Sequence, residues 1–70
     1  MTAATLGSSI KNRRKEVVMT QAELAMASGT GTRFISDLEN GKETCVLGKT
    51  LKVLACLGLE LRLVPKAGGE

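Results

Sequence analysis

The strongest constraint on this chain is a pair of helix boundaries set only a few residues apart. Thr20-Gln21-Ala22-Glu23 has the capping-box form, in which Thr20 accepts from the Glu23 amide and Glu23 reaches back to the Thr20 amide. Met19 before the cap and Leu24 after it supply a hydrophobic staple. Ser28-Gly29 ends this segment, because glycine takes the left-handed conformation that closes a helix. A second helix follows at once. Thr30 or Gly31 caps it, Phe34, Ile35 and Leu38 form its apolar stripe, and Asn40-Gly41 closes it. Helices of about two turns do not persist alone in water, so the rest of the chain must hold both by packing.

The flanking segments supply that packing. From about Leu6 to Glu16, Leu6, Ile10, Arg14 and Val17 fall at helical spacing, so the stripe is apolar except at Arg14. A guanidinium in such a stripe requires an acidic partner from elsewhere in the fold. A fourth helix is predicted over about Val46 to Leu57, with Leu47, Leu51 and Leu54 on one stripe and Val46, Val53 and Leu57 beside it. After Gly58 the period changes to alternation. Leu59-Glu60-Leu61-Arg62-Leu63 reads as a half-buried strand without an intrachain partner. Pro65 stops it, which divides the chain into a domain over 1–64 and a polar, glycine-containing tail over 65–70. Two short helices joined by a tight turn make a helix-turn-helix.

Composition narrows the function classes. Seventy residues suit one small domain. Histidine is absent, which removes the commonest general base and metal ligand and argues against an enzyme. With Phe34 as the one aromatic residue, stacking platforms for single-stranded nucleic acid are nearly excluded. Cys45 and Cys56 cannot form a metal site without further ligands, and both sit among apolar residues where a small buried thiol is expected. No cofactor is implied. The N-terminus lacks the pattern of a secretory signal, and no apolar run is long enough to span a bilayer, so a soluble cytoplasmic protein is expected. Ten Lys and Arg against seven Asp and Glu leave a net charge of +3, compatible with a polyanionic partner. Lys11, Arg13, Arg14 and Lys15 crowd one short stretch, which fits either a phosphate-facing surface or simply a solvated helix face.

The run Thr20-Gln21-Ala22-Glu23-Leu24-Ala25, then Gly29, then Ile35-Ser36-Asp37-Leu38-Glu39-Asn40-Gly41-Lys42, resembles the phage-repressor (Cro/Xre) class of helix-turn-helix domains. The resemblance covers roughly residues 6–57. Arg33 to Glu39, Leu54 to Leu59 and the terminal alternating segment resemble more narrowly the HipB-type antitoxins, the DNA-binding partners of HipA-type kinase toxins. The implied fold is mainly α, with four to five helices and one C-terminal β-strand that pairs across a homodimer through Leu59, Leu61 and Leu63.

The resemblance also implies roles. Gln21 would contact a phosphate. Thr32, Arg33, Ser36 and Asp37, with Thr30 in the turn before them, would face the major groove of an operator duplex. Asn40 and Lys42 would touch the backbone again, and Arg14 would pair with Glu39. Arg33 at the front of its helix is the best candidate for bidentate contact with guanine, whereas Asp37 tunes or excludes bases rather than attracting DNA. Two departures from the class stand out. Gly31 replaces a Ser or Thr cap, and Ser28 replaces an apolar residue before the turn glycine, which weakens the core there. The expected function is transcriptional repression, as an antitoxin that represses its own operon and binds a HipA-type kinase. The alternatives are a stand-alone Cro/Xre regulator without a toxin partner and a protein-interaction module that does not bind DNA.

Overall fold

The computed structural model describes residues 1–65. Over them run four helices: α1 (Ala3–Glu16), α2 (Gln21–Ser28), α3 (Thr32–Glu39) and α4 (Leu47–Cys56). The α1 helix starts three residues before Leu6, where the sequence pattern places it. Thr2 accepts from the Thr5 amide at 3.1 Å, and the Thr5 hydroxyl accepts from the Thr2 amide at 2.9 Å. This is a capping box with threonine in the third position, where the expected signal is Glu or Gln. The α2 box forms as its residues predict. Glu23 N donates to Thr20 Oγ1 at 3.0 Å, and Thr20 N donates to Glu23 Oε1 at 2.8 Å.

All four helices end the same way. A main-chain amide just past each helix end reaches back five residues: Met19 to Arg14 O, Thr30 to Ala25 O, Lys42 to Asp37 O and Leu59 to Leu54 O, at 2.9–3.0 Å. The residue between must adopt positive φ, and Gly29, Gly41 and Gly58 do so in three of the four turns. In the first that place falls to Val18, at φ 57°.

Ile10, Leu24, Ala25, Ile35, Leu38, Val53, Leu54 and Leu57 form the core, to which every helix contributes. Leu6, Met19, Phe34, Cys45 and Leu59 pack around it. The α2 helix lies against both α3 and α4, and α1 lies against α3. The α1–α3 crossing depends on Gly7. A Cβ there would sit 2.7 Å from the Glu39 carbonyl oxygen and closer still to that of Leu38.

Several expectations change. Neither stripe of the α4 segment is covered throughout: Leu54 of one and Val53 and Leu57 of the other are buried, whereas Val46, Leu47 and Leu51 are exposed. Cys56 is exposed and Cys45 half-buried, so neither is the sealed thiol its neighbours suggest. The Ser28 hydroxyl is fully partnered where an apolar residue is usual. The residue is buried with Oγ 2.8 Å from Leu24 O and 2.8 Å from Thr30 Oγ1, so a polar chain closes the turn. Among the described residues there is no strand. Leu59 packs on the core, but Leu61 and Leu63 are 40% and 95% exposed, because a strand's hydrogen bonds need a neighbouring strand and one chain offers none. Of the tail, residues 66–70 lie outside the described residues.

Candidate nucleic-acid interface

The α3 helix turns Ile35, Leu38 and Glu39 inward, and its opposite side is left to solvent. Thr32 and Arg33 are exposed at its first turn, with the Arg33 side chain 92% accessible. One turn on, Ser36 and Asp37 are half-covered, and Asn40 and Lys42 follow as exposed residues. Asp37 Oδ2 lies 3.9 Å from Arg33 Nε and 3.5 Å from Lys42 Nζ, so one carboxylate gathers both cations. Asn40 Nδ2 sits 3.5 Å from Ser36 Oγ. Thr30 is placed differently from these, since its hydroxyl is engaged with Ser28 inside the turn.

Beneath this face lies a buried charged network. Arg14 Nε donates to Glu39 Oε2 at 2.6 Å and Nη2 donates to Oε1 at 3.1 Å, the paired geometry that a guanidinium and a carboxylate favour. Arg14 Nη1 donates to Met19 O at 2.8 Å, and Gln21 Nε2 donates to Glu39 Oε1 at 3.1 Å. The four residues belong to α1, the following turn, α2 and α3, so the network ties the three helices at one point. Burial alone would raise the Glu39 carboxyl. The bonds from Arg14 and Gln21 and the charges of Arg14 and Lys11 outweigh it and hold the group below its ordinary value. The bond to Glu39 correspondingly raises Arg14, against the opposing effect of its burial.

The basic stretch of α1 divides. Arg13 Nε donates to Leu57 O at 2.9 Å and Nη1 lies 3.3 Å from Glu16 Oε1, so Arg13 ties α1 to the end of α4 rather than presenting a free charge. Lys11 and Lys15 remain exposed. Sequence reasoning missed the Gln21–Glu39 bond, the Arg13–Leu57 bond, and Lys49, whose Nζ sits 5.8 Å from the centre of the Phe34 ring. Phe34 is therefore more than core: it also carries a cation on its face. No local signal announces these contacts, since each joins residues from different helices or loops.

A short α2, a glycine turn and an α3 exposed along one side define a DNA-binding helix-turn-helix unit. A family model described as Helix-turn-helix matches residues 10–57. Over 69 residues the chain is 45% identical to the "Uncharacterized HTH-type transcriptional regulator y4mF" of Sinorhizobium fredii, spanning 99% of this chain and 88% of that one. A HipB chain solved with an O4 20mer superposes with a TM-score of 0.83 at 30% identity, covering 91% of this chain and 90% of the other. A chain of a solved HipA-HipB-O2-O3 complex superposes with a TM-score of 0.84 at 30% identity, over 91% of this chain and 90% of the other. The chain belongs to the Cro/Xre-type helix-turn-helix family of transcriptional regulators.

Proposed function

We propose that this protein is a sequence-specific DNA-binding repressor that acts as a homodimer, represses its own operon and binds a HipA-type kinase in the cytoplasm. The carrying observation is Arg33, 92% exposed at the front of α3, on the side of the helix opposite Ile35 and Leu38. Such a side chain can reach both acceptors of a guanine in the major groove. Thr32, Ser36 and Asp37 share its neighbourhood and complete the base-facing set. Gln21, Asn40 and Lys42 serve as backbone contacts, with Thr30 shaping the turn between the two helices. The HipB likeness supports the antitoxin reading, because solved chains of this shape come from a HipB-O4 20mer complex and a HipA-HipB-O2-O3 complex.

The homodimer rests on unburied apolar surface. Val46, Leu47, Leu51, Leu61, Leu63 and Val64 are all exposed in the single chain. Pairing of the Leu59–Leu63 segments across a two-fold axis would satisfy their backbone groups and cover that surface, with the two α3 helices set about one helical turn of DNA apart. A stand-alone regulator is the second reading, favoured by the regulator named y4mF, which matches nearly the whole chain.

The test is selection of a duplex from a random pool, followed by titration of the selected and a scrambled duplex at several salt concentrations. Tight, steeply salt-dependent binding to the selected duplex is expected, and equal weak binding to both overturns the repressor reading. A kinase-like reading frame beside the gene, whose product co-purifies with this chain, separates antitoxin from stand-alone regulator.

A further inference from the structure

We propose that Asp37 is a specificity-determining residue, whose carboxylate must find a new partner when a duplex draws Arg33 and Lys42 away from it. The inference rests on the DNA-binding reading above and assigns a task to one carboxylate within it. Asp37 Oδ2 is shared between Arg33 Nε at 3.9 Å and Lys42 Nζ at 3.5 Å. Lys42 is kept there by main chain as well, since its amide donates to Asp37 O at 3.0 Å through the turn at Gly41.

Helix stability does not account for this arrangement. The α3 helix has no acidic residue in its first turn and no basic one in its last. Arg33 instead stands at the positive N-terminal end and Asp37 toward the negative C-terminal end, so both charges oppose the helix dipole. Basic before acidic is also the weaker order for a pair four residues apart. By contrast, α2 places Glu23 in its first turn, where an acid belongs. An anion on a face that meets phosphates lowers affinity for every duplex. When Arg33 leaves for guanine and Lys42 for a phosphate, Asp37 is left charged in the groove. Only a donor such as the cytosine amino group compensates it there. A duplex lacking that donor therefore leaves the carboxylate unpaired, and is rejected.

The experiment compares Asp37→Asn, Asp37→Glu and Glu16→Gln with the parent chain on the selected and scrambled duplexes across salt. Glu16 is an exposed acid on α1 paired with Arg13, so its variant removes the same charge elsewhere. Expected for Asp37→Asn is a gain of about tenfold on the scrambled duplex, a log K against log salt slope steeper by about one unit, and a fall of about tenfold in the specificity ratio. Asp37→Glu, which keeps the charge, should retain low scrambled affinity, and Glu16→Gln should leave the ratio unchanged. Thermal melting checks that each variant is folded. Equal changes on both duplexes, or the same effect from Glu16→Gln, overturn the proposal while leaving the repressor reading intact. A parent chain that selects no duplex removes both.

Discussion

Arg14 directs all three guanidinium nitrogens at acceptors, two on Glu39 and one on Met19 O. At this burial the pair adds less than its geometry suggests, because both ions were taken out of water, yet removing one partner strands the other. Glu39→Gln should therefore cost about 3 kcal/mol, read as a lower urea midpoint, and leave the chain close to unfolding. Replacing both, as Arg14→Met with Glu39→Leu, should recover most of that loss. The pH dependence follows from the direction of the shift. Glu39 titrates lower in the folded chain than in the unfolded one, so its contribution is complete above the ordinary carboxylate range and is lost as pH falls through the folded value. Arg14 shifts upward, so its contribution disappears only in strong alkali. Urea titrations between pH 7 and pH 3 should show an acid-side decline that Glu39→Gln largely removes. An unchanged decline in that variant would assign the acid sensitivity to other carboxylates.

Among the elements, the first helix ending stands apart. A β-branched residue at φ 57° costs roughly 1–2 kcal/mol relative to glycine, and Val18 is 86% exposed, so little packing offsets that cost. After the entropy that glycine restores to the unfolded chain, Val18→Gly should stabilise by about 1 kcal/mol, a rise of roughly 4–8 °C in Tm. A lower Tm would mean that the valine makes contacts its exposure hides. The same residue shows where sequence reading stops. The capping box at Thr20, the glycine turns at Gly29 and Gly41 and the Phe34-Ile35-Leu38 stripe were legible because each is a local rule with a residue signature. The box at Thr2 was not, because threonine replaces the expected Glu or Gln. The end of α1 lacked its glycine. Arg14's need for an acid was visible from its stripe, and the family resemblance named Glu39. Gln21 as a further donor to Glu39 was not legible, since that bond spans 18 positions between two helices. Nor could alternation after Gly58 say which chain completes a strand.

For the whole molecule, the proposed dimer rests on the uncovered leucines. Truncation after Gly58, or Leu61→Asp, should yield a monomer in sedimentation and lower operator affinity more than any single contact variant, because two linked half-sites become independent. A stable truncated dimer that still binds operator would place the interface elsewhere. The frame that would carry those half-sites depends on Gly7, where α1 meets main-chain oxygens of α3 rather than side chains that could rotate aside. Gly7→Ala should therefore destabilise by about 1–3 kcal/mol, the ordinary range for overpacking. Circular dichroism melting of Gly7→Ala beside Ser8→Ala separates the crowded site from its exposed neighbour. Any methyl at position 7 moves α1 bodily, and α1 carries Arg14 while α3 carries both Glu39 and the proposed reading face. In a saturation library sorted for folded protein, position 7 should be nearly blank while position 33 fills with residues. A lineage could then change what it recognises as often as selection asks, provided one hydrogen atom stays where it is.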